Sequence, residues 1–357
     1  MPATMQAVVK VAARPGMALR EMPIPPIGPY DALVKIRATS ICGTDLHIYH
    51  WDDWAASRLR PPLTIGHEFC GTVAEIGSAV SQVKVGDFVS GDSHVVCGTC
   101  HQCRTARAHL CQNTQILGVD RDGCWADYIV LPAAGLWLNP PGLAPEYASL
   151  QDNFGNAVHT AFSTKMANRR VLVTGCGPVG LMAISVSRAI GAREIFATDL
   201  SDYHLSLAKQ MGADHVYNVS HEDMYQAIMD ETHGEGVDVL LEMSGAAAAM
   251  DQGFSVLTLG GEVALLGLIP KPLLFDVNNH IIFKGATVHG VTGRRLWDTW
   301  YEMSGLLTSG RVDLSPLVTH RYPLASFDEA LREMSAGHTG KVVMYPDPSS
   351  MPTRANP

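Results

Sequence analysis

Two different patterns of apolar and polar residues divide the chain. Up to about residue 131, short stretches alternate apolar and polar residues between glycines and prolines, as at 32–36, 72–76 and 128–131. Alternation with this period predicts half-buried strands, here of a barrel-like, β-rich region. From about residue 168, apolar segments alternate with longer stretches of helical periodicity, a pattern typical of βαβ units.

The second pattern predicts a parallel sheet. Its six apolar segments are residues 170–174, 194–198, 215–217, 237–241, 262–266 and 287–289. Helical periodicity follows the first segment as far as about residue 190 and the second from 201 to 211. Six strands in such an order fit a doubly wound Rossmann sheet, so the chain is expected to be of the α/β class.

The patterns also predict domain limits. We expect a β-rich domain over residues 1–153 and the parallel sheet over 154–296. Residues 297–346, with an apolar strand at 341–345, are expected to return to the first domain. The tail at 347–357, rich in proline and serine, is expected to be flexible.

Composition limits the possible partners and compartment. The 357 residues exceed what one core usually organises, and 46% of them are hydrophobic. The net charge of −9 comes without a basic stripe, so neither nucleic acid nor an anionic membrane is an expected partner. No segment resembles a secretion signal or a membrane span, and we expect a cytoplasmic protein with reduced cysteines.

The eight cysteines are unevenly distributed and predict two metal sites. Four of them crowd into fifteen residues as C-x2-C-x2-C-x7-C, namely Cys97, Cys100, Cys103 and Cys111. Four thiolates on one loop suit a closed, structural zinc. Cys42, His67 and Glu68 instead offer sulfur, nitrogen and oxygen from separate segments, as catalytic sites with an open position do. The other cysteines, Cys70, Cys124 and Cys176, are interpreted as small buried residues.

A glycine loop predicts a dinucleotide site. Gly175, Gly177 and Gly180 form G-x-G-x-x-G directly after a predicted strand and before a predicted helix. Such glycines let the backbone approach a pyrophosphate at the helix N-terminus. Asp199 ends the next strand, 19 residues after Gly180, where a carboxylate can bind the adenosine ribose and repel a 2′-phosphate. We therefore expect NAD in preference to NADP.

The residues around His67 carry a resemblance to a known family. Gly66, His67, Glu68, Gly71, Gly77 and Val80 reproduce the pattern G-H-E-x2-G-x5-G-x2-V. With the cysteine lobe at about 94–114 and the glycine loop, the order of elements resembles the zinc-containing medium-chain alcohol dehydrogenases. The resemblance implies a GroES-like catalytic domain, a Rossmann domain, NAD, and two zinc ions per subunit, one catalytic and one structural.

Further segments resemble one branch of that superfamily, the L-threonine 3-dehydrogenases. They are residues 41–49, 51–54, 155–160, 241–245, 293–294, 299–301 and 314–320. This resemblance covers nearly all of residues 5–345. It implies a homotetramer that oxidises the 3-hydroxyl of a small amino alcohol, L-threonine, to 2-amino-3-oxobutanoate.

The resemblance also implies roles for individual residues. Cys42, His67 and Glu68 match the catalytic zinc positions, and Asp152 matches an active-site carboxylate. Thr44 and His47 match a relay that passes the hydroxyl proton through the nicotinamide ribose towards solvent, and His94 matches a position linked to substrate preference. The predicted cofactor-binding residues, besides the glycines and Asp199, are Val179, His204, Leu266, Leu268, Val291 and Thr292.

The sequence differs from the family pattern at two positions, and it leaves two rival functions open. His204 stands where the family commonly has an arginine near the ribose, and Asn153 replaces a proline after Asp152. The nearer rival is another zinc alcohol dehydrogenase, acting on a polyol, a vicinal diol or an amino alcohol. A distant rival is a non-catalytic NAD-sensing zinc protein, against which the pair Thr44 and His47 argues, because a binding protein needs no proton relay.

Overall fold

A computed structural model of the protein describes residues 2–353 and divides into two units. The first contains residues up to Asn153 and those from Val318 onward, and the second is Phe154–Leu317. The chain thus returns to the first unit later than the predicted residue 297. The reason is the helix Asp298–Thr308, which buries Trp300 and Met303 and belongs to the second unit.

The first unit is built from short strands with few helices. Its strands are β1 (Thr4–Lys10), β2 (Ala18–Pro23), β3 (Asp31–Ser40), β4 (Leu63–Thr64), β5 (Glu68–Ile76), β6 (Phe88–Gly91), β7 (His94–Val95), β8 (Gln115–Ile116), β9 (Tyr128–Pro132), β10 (Leu136–Leu138), β17 (Val318–Pro323) and β18 (Lys341–Tyr345). Its helices are α1 (Gly43–His50), α2 (Asp53–Arg58), α3 (His101–Arg104), α4 (Pro145–Ala148) and α11 (Phe327–Ser335).

A seven-stranded sheet organises this unit. Its order is β10-β6-β5-β3-β18-β17, with β9 also paired to β3. β3 and β5 are antiparallel and place Val34 opposite Val73, and both side chains are buried. Alternating apolar residues of β3 and β5 therefore form the core of the unit, as the alternation in the sequence predicts. β18 pairs with β3 and brings Val343 and Met344 beside Ser40 and Thr39.

The second unit is a parallel sheet with helices. Its strands are β11 (Arg170–Thr174), β12 (Glu194–Asp199), β13 (His215–Asn218), β14 (Val237–Glu242), β15 (Leu257–Leu265) and β16 (Thr287–Gly290). Its helices are α6 (Pro178–Ala189), α7 (Asp202–Gln210), α8 (Met224–Glu231), α9 (Ala247–Ser255) and α10 (Asp298–Thr308), and α5 (Gln151–Phe162) crosses the boundary. The order β13-β12-β11-β14-β15-β16 is that of a Rossmann sheet and confirms the predicted fold class.

Short elements complete the described chain. Single helical turns occur at Ala108–Leu110, Ala133–Gly135, Asn278–Ile282, Leu324–Ser326 and Pro348–Ser350. The last turn is capped by Asp347, so the predicted flexible tail begins with local structure, and residues 354–357 of that tail lie outside the described residues. Between residues 2 and 353, every helix is too short or too polar to cross a bilayer.

Candidate metal centres and dinucleotide site

Cys42, His67 and Glu68 come together at one end of the first unit's sheet. Cys42 is the N-cap of α1, while His67 and Glu68 lie where β5 begins. Their sulfur, nitrogen and oxygen atoms all lie within 4.8 Å of one another. His67 and Glu68 are 7% and 1% exposed, and Cys42 is half-buried. Thiolate, imidazole and carboxylate are the ligand types that zinc binds, so this set fits the predicted catalytic metal.

Gly66 explains how the chain turns into this position. Its φ is +89°, a left-handed conformation that favours glycine, and a Cβ there would collide with the ring of Trp125. Trp125 itself is fully buried. Gly66 thus lets the backbone pass directly over the Trp125 ring. This close approach fixes the position of the His67 imidazole.

Asp45 lies behind two of these side chains. It is fully buried, its Oδ2 accepts a hydrogen bond of 2.8 Å from the Cys42 amide, and its Oδ1 is 3.8 Å from His67 Nδ1. Burial raises the pKa of Asp45 to about 6. Burial would lower the pKa of His67, but the nearby Cys42 and Asp45 outweigh it and raise that pKa to about 10. Negative charge is therefore concentrated at this point, as the binding of a divalent cation requires.

Lys341 and Ser40 hold Glu68. The Lys341 Nζ lies 2.6 Å from Glu68 Oε2, and the Ser40 hydroxyl donates to the same oxygen. Burial would raise the pKa of Glu68, but Lys341 outweighs it and the pKa is lowered. The other oxygen, Oε1, is buried and has no hydrogen-bond partner among residues 2–353. A buried carboxylate oxygen without a partner is costly, and a metal ion would satisfy it.

The predicted relay residues lie along α1. The Cys42 thiol contacts Thr44 Oγ1 at 3.7 Å, so Thr44 adjoins the metal ligands. His47 is largely exposed, and its Nδ1 is 2.5 Å from Asp52 Oδ2. The structure therefore places one relay residue beside the metal set and the other towards solvent. Their roles stay predictions.

Asp152 contacts Ser93, the residue before His94, and neither Asp152 nor His94 belongs to the group of metal ligands. Asp152 is buried and accepts hydrogen bonds from the Ser93 amide at 2.8 Å and the Ser93 hydroxyl at 3.2 Å. The amide of His94 donates to Asp92 Oδ1 at 2.8 Å. Asn153, which stands where the family commonly has a proline, is buried in the first turn of α5. The roles of Asp152 and His94 stay predictions.

The four-cysteine lobe forms a compact cluster of sulfur atoms. The Sγ atoms of Cys97, Cys100, Cys103 and Cys111 lie within 4.8 Å of one another, and all four cysteines are free of disulfides. Backbone amides point at the sulfurs: Cys100 N is 3.4 Å from Cys97 Sγ, and Asn113 N is 3.3 Å from Cys111 Sγ. Hydrogen bonds from the backbone and side chain of Thr99 lower the pKa of Cys97 to about 5. Burial and the hydrogen bonds with Cys100 and Cys111 raise the pKa of Cys103 to about 12, so the amides favour a thiolate at Cys97 and not at all four positions. The four sulfurs together fit a structural zinc.

The glycine loop occupies the turn between β11 and α6. Gly175 has a φ of +86°, and a Cβ on Gly180 would collide with the Gly175 carbonyl oxygen. Gly177 is the N-cap of α6 and has open space where a Cβ would be. Two glycines thus allow the tight turn and the third leaves room for a ligand. A pyrophosphate fits at the N-terminus of α6, which includes Val179.

Asp199 ends β12 next to this loop. Its Oδ2 accepts a hydrogen bond of 2.7 Å from the amide of Cys176, and its Oδ1 accepts one of 2.9 Å from Ser201. His204 Nδ1 lies 3.6 Å from Oδ1. Burial would raise the pKa of Asp199, but His204 and the two amides outweigh it and lower the pKa. Asp199 is therefore a held, negatively charged group at the place where an adenosine ribose would bind.

The other predicted cofactor residues follow strands of the same sheet. Leu266 and Leu268 come after β15, and Val291 and Thr292 come after β16. Leu268 is 91% exposed, whereas Val291 is buried and its amide donates to Leu265 O at 2.9 Å. The carboxyl ends of parallel strands are where such sheets bind ligands, so this placement is compatible with the prediction.

Several supporting residues were not predicted from the sequence. Asp45 and Lys341 serve the metal ligands, and Asp52 contacts His47. Glu242, which is 1% exposed, accepts hydrogen bonds of 3.0 Å from the amides of Ser244 and Gly245. A Cβ on Gly175 would touch Ser244, so Glu242 fixes the turn that packs against the glycine loop. A charged residue in a mainly apolar strand was the available signal for Glu242 and Lys341.

Comparison with known proteins gives consistent matches. Residues 28–141 match the alcohol dehydrogenase GroES-like domain, and residues 178–309 match the zinc-binding dehydrogenase family. The chain is 48% identical over 347 residues to an L-threonine 3-dehydrogenase of Thermococcus kodakarensis, covering 97% of this chain and 99% of that protein. Galactitol-1-phosphate dehydrogenase of Escherichia coli has a TM-score of 0.88 at 27% identity, covering 96% of this chain and 100% of that one. For 2R,3R-butanediol dehydrogenase of Bacillus subtilis the TM-score is 0.86 at 27% identity, with the same coverage.

Proposed function

The chain belongs to the zinc-binding dehydrogenases of the alcohol dehydrogenase type, and we propose that it oxidises the 3-hydroxyl of L-threonine to 2-amino-3-oxobutanoate with NAD. The arrangement of Cys42, His67 and Glu68 within 4.8 Å of one another carries the reaction class. The substrate follows from similarity: identity to the L-threonine 3-dehydrogenase is 48%, against 27% for the galactitol-phosphate and butanediol enzymes.

The metal ligands are held by residues of the same unit. A zinc ion bound by Cys42, His67 and Glu68 would supply Lewis acidity, which makes an alcohol easier to deprotonate. Asp45 orients the Cys42 backbone and lies 3.8 Å from His67 Nδ1, and Lys341 holds Glu68 by one oxygen. Such contacts fix the ligands before the metal binds and keep Glu68 ionised.

The second unit supports the choice of NAD. NAD bound at the glycine loop would be the hydride acceptor. Asp199 keeps its negative charge beside the loop, so it can accept hydrogen bonds from a ribose with free hydroxyls and repels a 2′-phosphate. We expect NADP to replace NAD poorly in the assay described below.

We propose that Thr44 and His47 carry away the proton of the substrate hydroxyl. Replacing Thr44 by alanine is expected to lower kcat by about 10² to 10⁴, the usual cost of losing one proton-transfer group. NAD affinity should be unchanged because Thr44 lies beside Cys42 and outside the glycine loop. Steady-state kinetics and fluorescence titration of NAD measure the two effects. Thr308→Ala, an exposed threonine on α10, is the control, and a kcat for Thr44→Ala within twofold of wild type would reject the relay.

A substrate panel tests the proposed activity. Zinc-loaded protein is assayed for NADH formation with L-threonine, D-threonine, L-allo-threonine, sorbitol, 2,3-butanediol and a simple secondary alcohol. We expect the highest kcat/KM with L-threonine and NAD. Preference for sorbitol or butanediol would support the polyol or diol alternative, and NAD binding without turnover of any substrate would support the non-catalytic one.

We also propose that four copies assemble and that the protein is cytoplasmic. β16 is the last strand in the order of its sheet, and an open strand edge can pair with another copy. Large apolar side chains of the same unit are exposed, including Leu274 at 103% and Phe283 at 73%. Light scattering should give four times the 38.4 kDa chain mass, and a single-chain mass would reject the tetramer. Thiolate metal sites persist best in a reducing compartment, which favours the cytoplasm.

A further inference from the structure

We propose that Asp52 is a positioning residue for His47: it fixes the imidazole in the tautomer whose Nε2 can accept a proton. The inference rests on the proposed function, in which His47 takes the proton towards solvent. It comes from a contact that the cofactor and metal sites do not use, the 2.5 Å separation of His47 Nδ1 and Asp52 Oδ2.

Backbone structure brings the two side chains together. Trp51 ends α1 in a left-handed conformation, with a φ of 57°, and this reverses the chain towards the helix it has just left. The amide of Asp52 then donates to the His47 carbonyl oxygen at 3.3 Å. Asp52 Oδ1 caps α2 by accepting a hydrogen bond of 3.0 Å from Ala55 N, which leaves Oδ2 for His47. One carboxylate oxygen thus caps α2 and the other contacts the imidazole.

The imidazole is also restrained by a ring contact. The Trp54 ring meets the His47 ring edge-on, with 6.0 Å between centroids. Within the described chain, Asp52 is the one charged side chain that contacts His47. Asp53 is exposed on α2, and the His50 ring packs against the Tyr49 ring.

The chemistry of the pair defines the tautomer. Burial would raise the pKa of Asp52, but the Ala55 amide and His47 outweigh it and lower the pKa. An ionised carboxylate only accepts hydrogen bonds, so the shared proton lies on Nδ1 and Nε2 keeps its lone pair. When Nε2 takes up a proton, the carboxylate stabilises the imidazolium that forms. Because both side chains are about half exposed, we expect the loss of Asp52 to have a moderate effect on kcat.

Three variants separate positioning from capping. Asp52→Asn keeps the oxygen that caps α2 but places an amide N–H opposite Nδ1, which favours the tautomer protonated on Nε2. Asp52→Ser can still cap α2 and does not reach His47. Asp53→Asn removes the neighbouring charge without touching the pair. All are made in the full-length, zinc-loaded protein.

We expect kcat for L-threonine oxidation to fall about 10- to 100-fold in Asp52→Asn and several-fold in Asp52→Ser, part of the 10² to 10⁴ that a proton-transfer group contributes. The KM for L-threonine, the NAD dissociation constant and the melting temperature should stay near wild type. Added imidazole should restore part of kcat in both Asp52 variants. Asp53→Asn should resemble wild type throughout.

Ring ¹⁵N chemical shifts give a readout independent of turnover. The His47 signals, assigned by their loss in His47→Gln, should show a protonated Nδ1 in wild type and a protonated Nε2 in Asp52→Asn. Unchanged ¹⁵N shifts, or a kcat in Asp52→Asn equal to that in Asp53→Asn, would overturn the inference. A fall in kcat that follows the melting temperature, without imidazole rescue, would also overturn it. Failure of wild type itself to oxidise L-threonine would instead contradict the proposed function.

Discussion

Replacing His67 by alanine is expected to lower kcat/KM for NAD-linked L-threonine oxidation by about 10³ to 10⁵. The imidazole is one of three ligands in a site where Cys42 and Glu68 lie within 4.8 Å of it, so its removal leaves too few donors to hold zinc firmly. Lewis-acid stabilisation of developing alkoxide charge contributes several kcal/mol, which corresponds to three to five powers of ten in rate. Steady-state kinetics with zinc-saturated protein measure the change.

Metal content and fold distinguish this loss from unfolding. Zinc per chain should fall from two to one, because the four-cysteine lobe is a separate cluster. NAD affinity should remain, since the glycine loop and Asp199 lie in the second unit. His221→Ala, an exposed histidine in that unit, is the matched control and should keep full activity. More than a tenth of wild-type activity in His67→Ala would argue against a catalytic metal at this position.

Replacing Cys100 by serine is expected to produce the largest loss of stability. Cys100 belongs to the four-sulfur cluster, and a serine hydroxyl is a much poorer zinc ligand than a thiolate. A structural zinc commonly contributes on the order of 10 kcal/mol of binding free energy, which is also folding free energy. We expect the melting temperature to fall by more than about 10 °C, because each kcal/mol shifts a domain of this size by about 2 to 4 °C.

A matched cysteine outside the lobe provides the comparison. Cys70 is fully buried in the first unit and lies in neither group of metal ligands. Cys70→Ala should cost only the small loss of packing expected from a buried sulfur and should keep two zinc ions per chain. Melting curves and elemental analysis of the two variants give the contrast. Equal melting temperatures for Cys100→Ser and wild type would show that the lobe is not held by metal.

The parallel sheet was predictable because its signals are local. The apolar run at 170–174 matches the observed β11 residue for residue, and the runs at 194–198 and 237–241 match β12 and β14 to within one residue. β15 begins at Leu257, five residues before the predicted 262, because its first half carries exposed residues and the glycines 260 and 261. Periodicity cannot identify a strand whose side chains are partly exposed or absent.

The supporting residues were not predictable because they depend on distant chain segments. Lys341 reaches Glu68 only because β18 pairs with β3, and no spacing in the sequence reports that pairing. Asp45 and Asp52 are near Cys42 and His47 in sequence, but their roles depend on the caps of α1 and α2. The metal ligands were predictable because the cysteine spacing of the lobe is distinctive and the pattern G-H-E-x2-G-x5-G-x2-V around His67 resembles that of the zinc-containing alcohol dehydrogenases. The sequence could thus identify the residues of the metal sites. The contacts that orient those residues could be identified only from the folded structure.

Anomalous diffraction at the zinc edge tests the central claim most directly. Crystals are grown from a preparation that oxidises L-threonine, and difference maps are calculated from data above and below the edge. We expect two peaks per chain, one inside the four-cysteine lobe and one about 2.3 Å from the sulfur of Cys42, beside His67 and Glu68. An active preparation with no peak beside His67 would contradict the assignment of this protein as a zinc-dependent alcohol dehydrogenase.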